Sequence, residues 1–101
     1  MAFEWDENKR AKNIAKHDLD FVDAWQVFNA PMIIDVDDRE EYGETRFVGI
    51  GFLKNFFVAI IFTEPDERTI RIISLRKALK YEREQLDEHI TNELGETRGD
   101  D

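Results

Sequence analysis

Apolar and polar positions change their spacing several times along this chain, and each change predicts a different element. Asp6 reads as an N-cap for a helix over DENKRAKNIAKH, with Ala11, Ile14 and Ala15 on one side. Lys16 and His17 fall in its last turn, where cations suit the helix dipole. Asp20 caps a second helix, in which Phe21, Ala24, Trp25 and Phe28 recur at i, i+3, i+4 and i+7 as one apolar face. Asn29-Ala30-Pro31 stops it. Ahead of both, Phe3-Glu4-Trp5 has room only for a very short strand.

The period then falls to two. Met32, Ile34 and Val36 alternate with Asp35 and Asp37, predicting a strand with an apolar and an acidic side. A polar turn around Glu40-Glu41-Tyr42-Gly43 leads to TRFVGIGFL, with Arg46, Val48, Ile50 and Phe52 on one face and Phe47, Gly49, Gly51 and Leu53 on the other. Lys54-Asn55 is a tight turn into FFVAIIFT, apolar on both faces and therefore central. Glu64-Pro65-Asp66-Glu67 is a further turn, and TIRIIS is the fourth strand. From Leu75, Ala78 and Leu79 to Leu86 and Ile90 the helical period returns, with Gly95 as its stop. The expected architecture is α+β: two N-terminal helices, a four-stranded antiparallel sheet and one C-terminal helix, with the helices packed on one face of the sheet. One domain is expected over 1–94, followed by a flexible acidic tail over 95–101.

Composition narrows the class. The 101 residues include eight Phe and two Trp, enough for a modest globular core. No run approaches the roughly 18 to 20 apolar residues of a membrane span, and MAFEWDENKR lacks the order of a signal peptide. A cytoplasmic protein without membrane contact is the expectation. The absence of cysteine removes disulfides and thiolate metal sites. A net charge of −9 argues against a general nucleic-acid binder. That charge is uneven: residues 84–101 carry seven acids against one base, Arg98, so the body is closer to balance.

Against this acidity, RIISLRKALKYER gathers five cations: Arg71, Arg76, Lys77, Lys80 and Arg83. Arg76, Lys80 and Arg83 are spaced i, i+4, i+7 on the expected helix, and Ser74 stands at the junction as its cap. A strand end and a helix start would then converge on one anion-binding place. The plainer alternative pairs Lys80 and Arg83 with Glu84 and Asp87 on a solvated face. His17 is suited to proton transfer, or it only completes the helix dipole. Arg46 is either an active-site cation or the partner of Asp35 or Glu44. Gly49 and Gly51, alternate on one face, admit close helix packing or substrate access. Tyr42 reads as a surface turn residue, and His89 as surface. Asp35, Asp37 and Asp38 lack a neighbouring His or a metal-loop pattern and read as a solvent-facing edge, so no metal site is expected.

Three blocks, WDENKRAKNIAKHDLDF, GETRFVGIG and TIRIISLRKALKYERE, together resemble the BrnT family, ribonuclease toxins of type II toxin–antitoxin modules. The resemblance covers about residues 3 to 87. It implies a fold similar to the RelE-type toxins and an endoribonuclease that needs no metal or cofactor. The reaction would be attack of the RNA 2′-OH on the adjacent phosphate, which slows translation. On that resemblance His17, Arg46, Arg71 and Arg76 are the expected catalytic residues, with Lys16, Ser74, Lys77, Lys80 and Arg83 binding substrate. It also implies a BrnA-like ribbon-helix-helix antitoxin as partner, with DNA engaged only through the complex. The local excess of positive charge at 71–83 on an acidic protein makes that segment the expected antitoxin surface. Family members commonly carry Gly after the Lys-His pair, where this chain has Asp18, and a basic end where this chain turns acidic. The alternative is a catalytically weak module that mainly binds its antitoxin.

Overall fold

The computed structural model of the protein describes residues 1–39 and 41–98; Glu40 of the expected polar turn and residues 99–101 of the expected tail lie outside the described residues. Strand β1 (Ala2–Trp5) leads into helix α1 (Glu7–His17), then a 3₁₀ turn over Phe21–Asp23 and the short helix α2 (Trp25–Phe28). Strands β2 (Ile33–Asp37), β3 (Arg46–Leu53), β4 (Phe56–Asp66) and β5 (Thr69–Lys77) follow, and helix α3 (Lys80–Arg98) closes the described chain. The sheet order is β1-β5-β4-β3-β2. Pairings from β2 to β5 are antiparallel, whereas β1 runs parallel to β5. The sheet is therefore five-stranded and mixed, not four-stranded and antiparallel, and the expected RelE-like layout is not exactly matched. Phe3-Glu4-Trp5 supplies the extra strand, because β5 lies between β4 and an edge that β1 can satisfy.

Caps set the first helix as its sequence demands. Asp6 accepts a hydrogen bond from the Lys9 amide at 3.1 Å. At the other end Asp18 adopts φ 58, the left-handed conformation in which Gly carries no strain, and its N–H reaches the Ile14 carbonyl. The Gly common in the resembling family at this position thus has a backbone reason. The Arg10 guanidinium spans to Asp20 at 2.7 and 2.9 Å, fixing α1 against the next turn. Asp20 also caps Val22, as expected, but the element it starts is a 3₁₀ turn. A period of three replaces the α spacing there. Phe21, Ala24 and Val27 consequently face the sheet, and Trp25 is left half exposed.

β4 is buried on both faces from Val58 to Thr63. Phe62, Ile60 and Val58, with Ile70, Ile72, Leu75 and Leu53, form the core beneath α1 and α2. On the other face Leu86 of α3 is buried against Ile50 and Ala59, with Ile90 beside it. Helices therefore lie on both faces of the sheet, not one. The Lys54-Asn55 turn is present, with Lys54 at φ 56 as a two-residue hairpin demands.

Strand β5 runs three residues further than its sequence suggested. Phe62 pairs with Ile72, but Ile61 pairs with Ser74, so Ile73 is an extra residue. This bulge puts Ile72 and Leu75 on one face three positions apart, which imitates a helical step. Leu75, Arg76 and Lys77 are strand residues because β4 offers them pairing through Val58. Gly95 does not stop α3, which continues to Arg98.

Gly51 has a packing reason. A Cβ there would meet Val27 Cγ1 at 3.0 Å and Met32 Cβ at 3.1 Å. At Gly49 it would collide with the Met32 terminal methyl, which can swing aside. Gly51→Ala is expected to destabilise the fold by about 1–3 kcal/mol, and Gly49→Ala by less; urea unfolding midpoints of the two variants check the order.

Candidate active site

Helix α3 covers only part of the outer sheet face. In the uncovered part, register aligns one polar row across all five strands: Asp37 opposite Arg46, Thr63 next to Arg46, Arg71 opposite Thr63, and Glu4 opposite Arg71. Further toward α3, Ser74 lies opposite Ile61 and Arg76 opposite Ala59. Arg39, in the loop after β2, joins the same face through Asp37.

Each of the four arginines has a carboxylate neighbour. Arg76 holds Glu82 through two bonds, at 2.7 and 2.9 Å, in fork-to-fork geometry. Arg39 holds Asp37 in the same way, also at 2.7 and 2.9 Å. Arg71 meets Glu4 at 2.7 Å. Arg46 differs: its nearest carboxylate oxygen, on Glu44, stands 3.9 Å away, and its guanidinium lies 4.0 Å above the Tyr42 ring. Arg46 is thus paired loosely with Glu44 and not with Asp35. Asp37 was expected to face solvent but is buried, because it points to the outer face beneath Arg39. Among the described residues no group of His, Asp and Glu is arranged to hold a metal.

Glu82 also sets where α3 begins. Its Oε1 accepts the Leu79 amide at 2.7 Å, the reach-back half of a capping box. Burial alone would raise its pKa; the hydrogen bonds from Arg76 and Leu79 outweigh that and hold it below the usual carboxylate range. Ser74 is therefore not the helix cap, and Arg76 is not on the helix with Lys80 and Arg83. A cavity of about 150 Å³ opens between Arg39, Val48, Ile61, Arg76, Tyr81 and Glu82. It adjoins a groove of about 610 Å³ lined by Tyr42 and Arg46, the two sharing Val36 to Arg39.

The remaining expected residues separate. Ser74 is half-buried in mid-strand on the open face. Lys16 is exposed in the last turn of α1, and Lys80 is exposed at the start of α3. Lys77 and Arg83 stand over Phe56 and Phe57, each 4.9 Å from the ring centre. Phe56 and Phe57 point to opposite faces, so Lys77, Lys80 and Arg83 stand around the β3–β4 hairpin end of the sheet, while Arg71 and Arg76 belong to the open face. His17 ends α1, which packs along β5. Its pKa is lowered by partial burial first and then by the charges of Lys16 and Arg76. Arg39, Thr63, Tyr81 and Glu82 were not anticipated. Only Glu82 had a sequence signal, an acid three residues past a helix boundary, and that boundary had been misplaced.

His17 is expected to titrate below the ordinary histidine value of about 6.5, and Lys16→Met to move its midpoint upward; ring-proton NMR shifts against pH check both. A depressed folded pKa adds stability that is present above about pH 6.5 and lost as the pH falls through the folded value.

Comparison with known proteins agrees with the fold and with the sequence blocks. Residues 5–82 match the family described as the ribonuclease toxin, BrnT, of type II toxin–antitoxin systems. The crystal structure of the Brucella abortus ribonuclease toxin BrnT superposes with a TM-score of 0.62 at 33% sequence identity, over 79% of this chain and 99% of that one. No curated protein matches. With more than three-quarters of its length matched, the chain belongs to the BrnT family of ribonuclease toxins of type II toxin–antitoxin systems.

Proposed function

We propose that this protein is an endoribonuclease toxin that cuts RNA without a metal ion, with Arg76 and His17 at the centre of the reaction. The observation that carries the proposal is the position of Arg76. It is held by Glu82 at the mouth of a cavity on the open face, and its charge is the smallest of the three causes that lower the His17 pKa. Neutral His17 accepts the proton of the 2′-OH. The 2′-oxygen forms its bond to phosphorus as the bond to the 5′-oxygen breaks, and the departing oxygen takes a proton from water. Arg76 meets the charge that builds on the phosphate oxygens. The chemistry leaves a 2′,3′-cyclic phosphate and a free 5′-hydroxyl. DNA lacks the attacking group and is not cut.

Arg46 and Arg71, with Ser74 between the rows, line the route of the RNA backbone beyond the cavity. The cations at the other end, Lys77, Lys80 and Arg83, with Phe56 open beside Lys77, suit a strand approaching from that side. A type II module implies an antitoxin. The partner proposed here is a BrnA-like ribbon-helix-helix protein that covers this basic end with an acidic segment, in the cytoplasm, and reads DNA on behalf of the complex.

Cleavage of RNA in EDTA is the decisive assay. Wild type is expected to release cyclic-phosphate ends, and Arg76→Ala to lose about a hundred- to a thousandfold in rate. Activity that requires added divalent metal overturns the mechanism. A wild type that cuts no RNA under any salt condition leaves a module that mainly binds its antitoxin. For the partner, Lys77→Glu with Arg83→Glu is expected to weaken antitoxin binding by tenfold or more, as read by calorimetry on the purified pair; unchanged affinity removes the basic end from the interface.

A further inference from the structure

Among the described residues, two buried side-chain polar atoms lack a hydrogen-bond partner: Arg46 Nε and Thr63 Oγ1. They are neighbours. Phe47 pairs with Phe62, so Arg46 and Thr63 stand side by side on adjacent strands. Thr63 is 2% exposed, in the most buried strand of the sheet. A buried hydroxyl without a partner is costly, and so is a buried guanidinium N–H. Two such groups at one register position point to something that both can bind.

Their chemistry defines it. Arg46 Nε is a donor only, and a threonine hydroxyl donates equally well. Two donors side by side, one of them charged, suit an oxygen of an anion, and the Asp37 carboxylate opposite Arg46 is already taken by Arg39. Arg71 faces Thr63 from the opposite strand; it is paired with Glu4 at 2.7 Å, and both side chains are open enough to solvent for the guanidinium to take a second partner. The Tyr42 ring beneath Arg46 fixes the guanidinium plane, so the donor is pre-aimed. Glu44 stands near the place an anion would take. Its carboxylate is 3.9 Å from Arg46 Nε, too far for a hydrogen bond, and the residue is exposed and able to swing out. Thr63 lies four residues along β4 from Ala59, the partner of Arg76. At the rise of a strand that is about 13 Å, so one phosphate does not reach both places.

We propose that Arg46 Nε and Thr63 Oγ1, with Arg71 beside them, form a second phosphate subsite that holds a non-scissile phosphate of the RNA, and that the Glu44 carboxylate occupies its mouth until RNA displaces it. The proposal rests on the ribonuclease reading and extends it: Arg76 serves the phosphate that reacts, and this subsite sets the distance to another.

The test uses the whole protein and two probes that it cannot cleave: inorganic phosphate, and a short single-stranded DNA followed by fluorescence anisotropy. Thr63→Val is expected to weaken the DNA about tenfold, the worth of one hydrogen bond to a charged group, while raising the thermal midpoint because an orphan hydroxyl is gone. Glu44→Gln is expected to act oppositely and tighten both probes severalfold. Arg46→Gln is expected to lower the slope of log affinity against log salt by about one. Thr63→Val and Glu44→Gln both binding as wild type would mean that the orphan atoms hold only a trapped water, and the proposal fails. It fails equally if Thr63→Val lowers the thermal midpoint or Glu44→Gln weakens binding. Should wild type cut no RNA while these opposite shifts persist, the catalytic reading falls and the subsite stands. Should RNA be cut and the shifts be absent, the subsite alone falls.

Discussion

Strand β4 is covered on both faces, and that constraint organises the molecule. A strand whose side chains are apolar in both directions needs a layer above and a layer below. The chain has little helix with which to build them. Helix α1 and the short turns after it cover one face. Helix α3 covers the other only where Leu86 and Ile90 reach Ile50 and Ala59. The rest of the outer face carries the polar row from Asp37 to Glu4, in which Arg71 and Glu4 are open to water while Asp37 and Thr63 are buried among their neighbours. The cleft is thus the part of the sheet that the C-terminal helix leaves uncovered.

Ionic pairing gives that face its character. Arg76 and Glu82 are mostly buried, and removing one partner of a buried pair costs about 3–5 kcal/mol. Arg76 is for this reason a fixed feature, and Glu82 serves strand and helix at once by capping Leu79. The Arg71–Glu4 pair is far more open to solvent and exchanges partners easily. Arg46 makes no close pair at all. Along one face the arginines therefore run from firmly held to loosely held. On the ribonuclease reading proposed above, such a gradient would let the firm cation orient a polyanion while the loose ones take new partners.

Much of this was legible in the sequence where local rules and tertiary demands agree. The two faces of β3, the central position of β4, the Lys54-Asn55 turn and the Asp6 cap follow from alternation and capping alone. The errors arose where tertiary demand wins. The bulge at Ile73 shifts the phase of β5, so Leu75 looks like the start of a helix. A 3₁₀ start turned Val27 inward in place of Trp25. Asp37 looked solvated because its burial depends on Arg39, brought to it by a loop. Arg71 and Arg76 stand out as cations in the sequence, but their separate places in the sheet, opposite Thr63 and Ala59, follow only from the bulge and the extra length of β5. Thr63 carried no signal, since threonine closing an apolar run is an ordinary strand former.

One feature of α1 reaches further than its own helix. β1 pairs with β5 only from Thr69 to Ile72, so the next stretch of that edge lacks a neighbouring strand. There the Asn13 side chain accepts from the Leu75 amide at 3.0 Å and donates to the Leu75 carbonyl at 2.8 Å, with a second donation to Leu19. A carboxamide carries the same donor and acceptor as a peptide group, so one side chain impersonates a piece of backbone. A chain that adds itself to a sheet needs unsatisfied groups to recognise, and beside Arg76 it finds them already taken. Asn13 thereby closes this stretch of the β5 edge, beside Arg76, to an added strand.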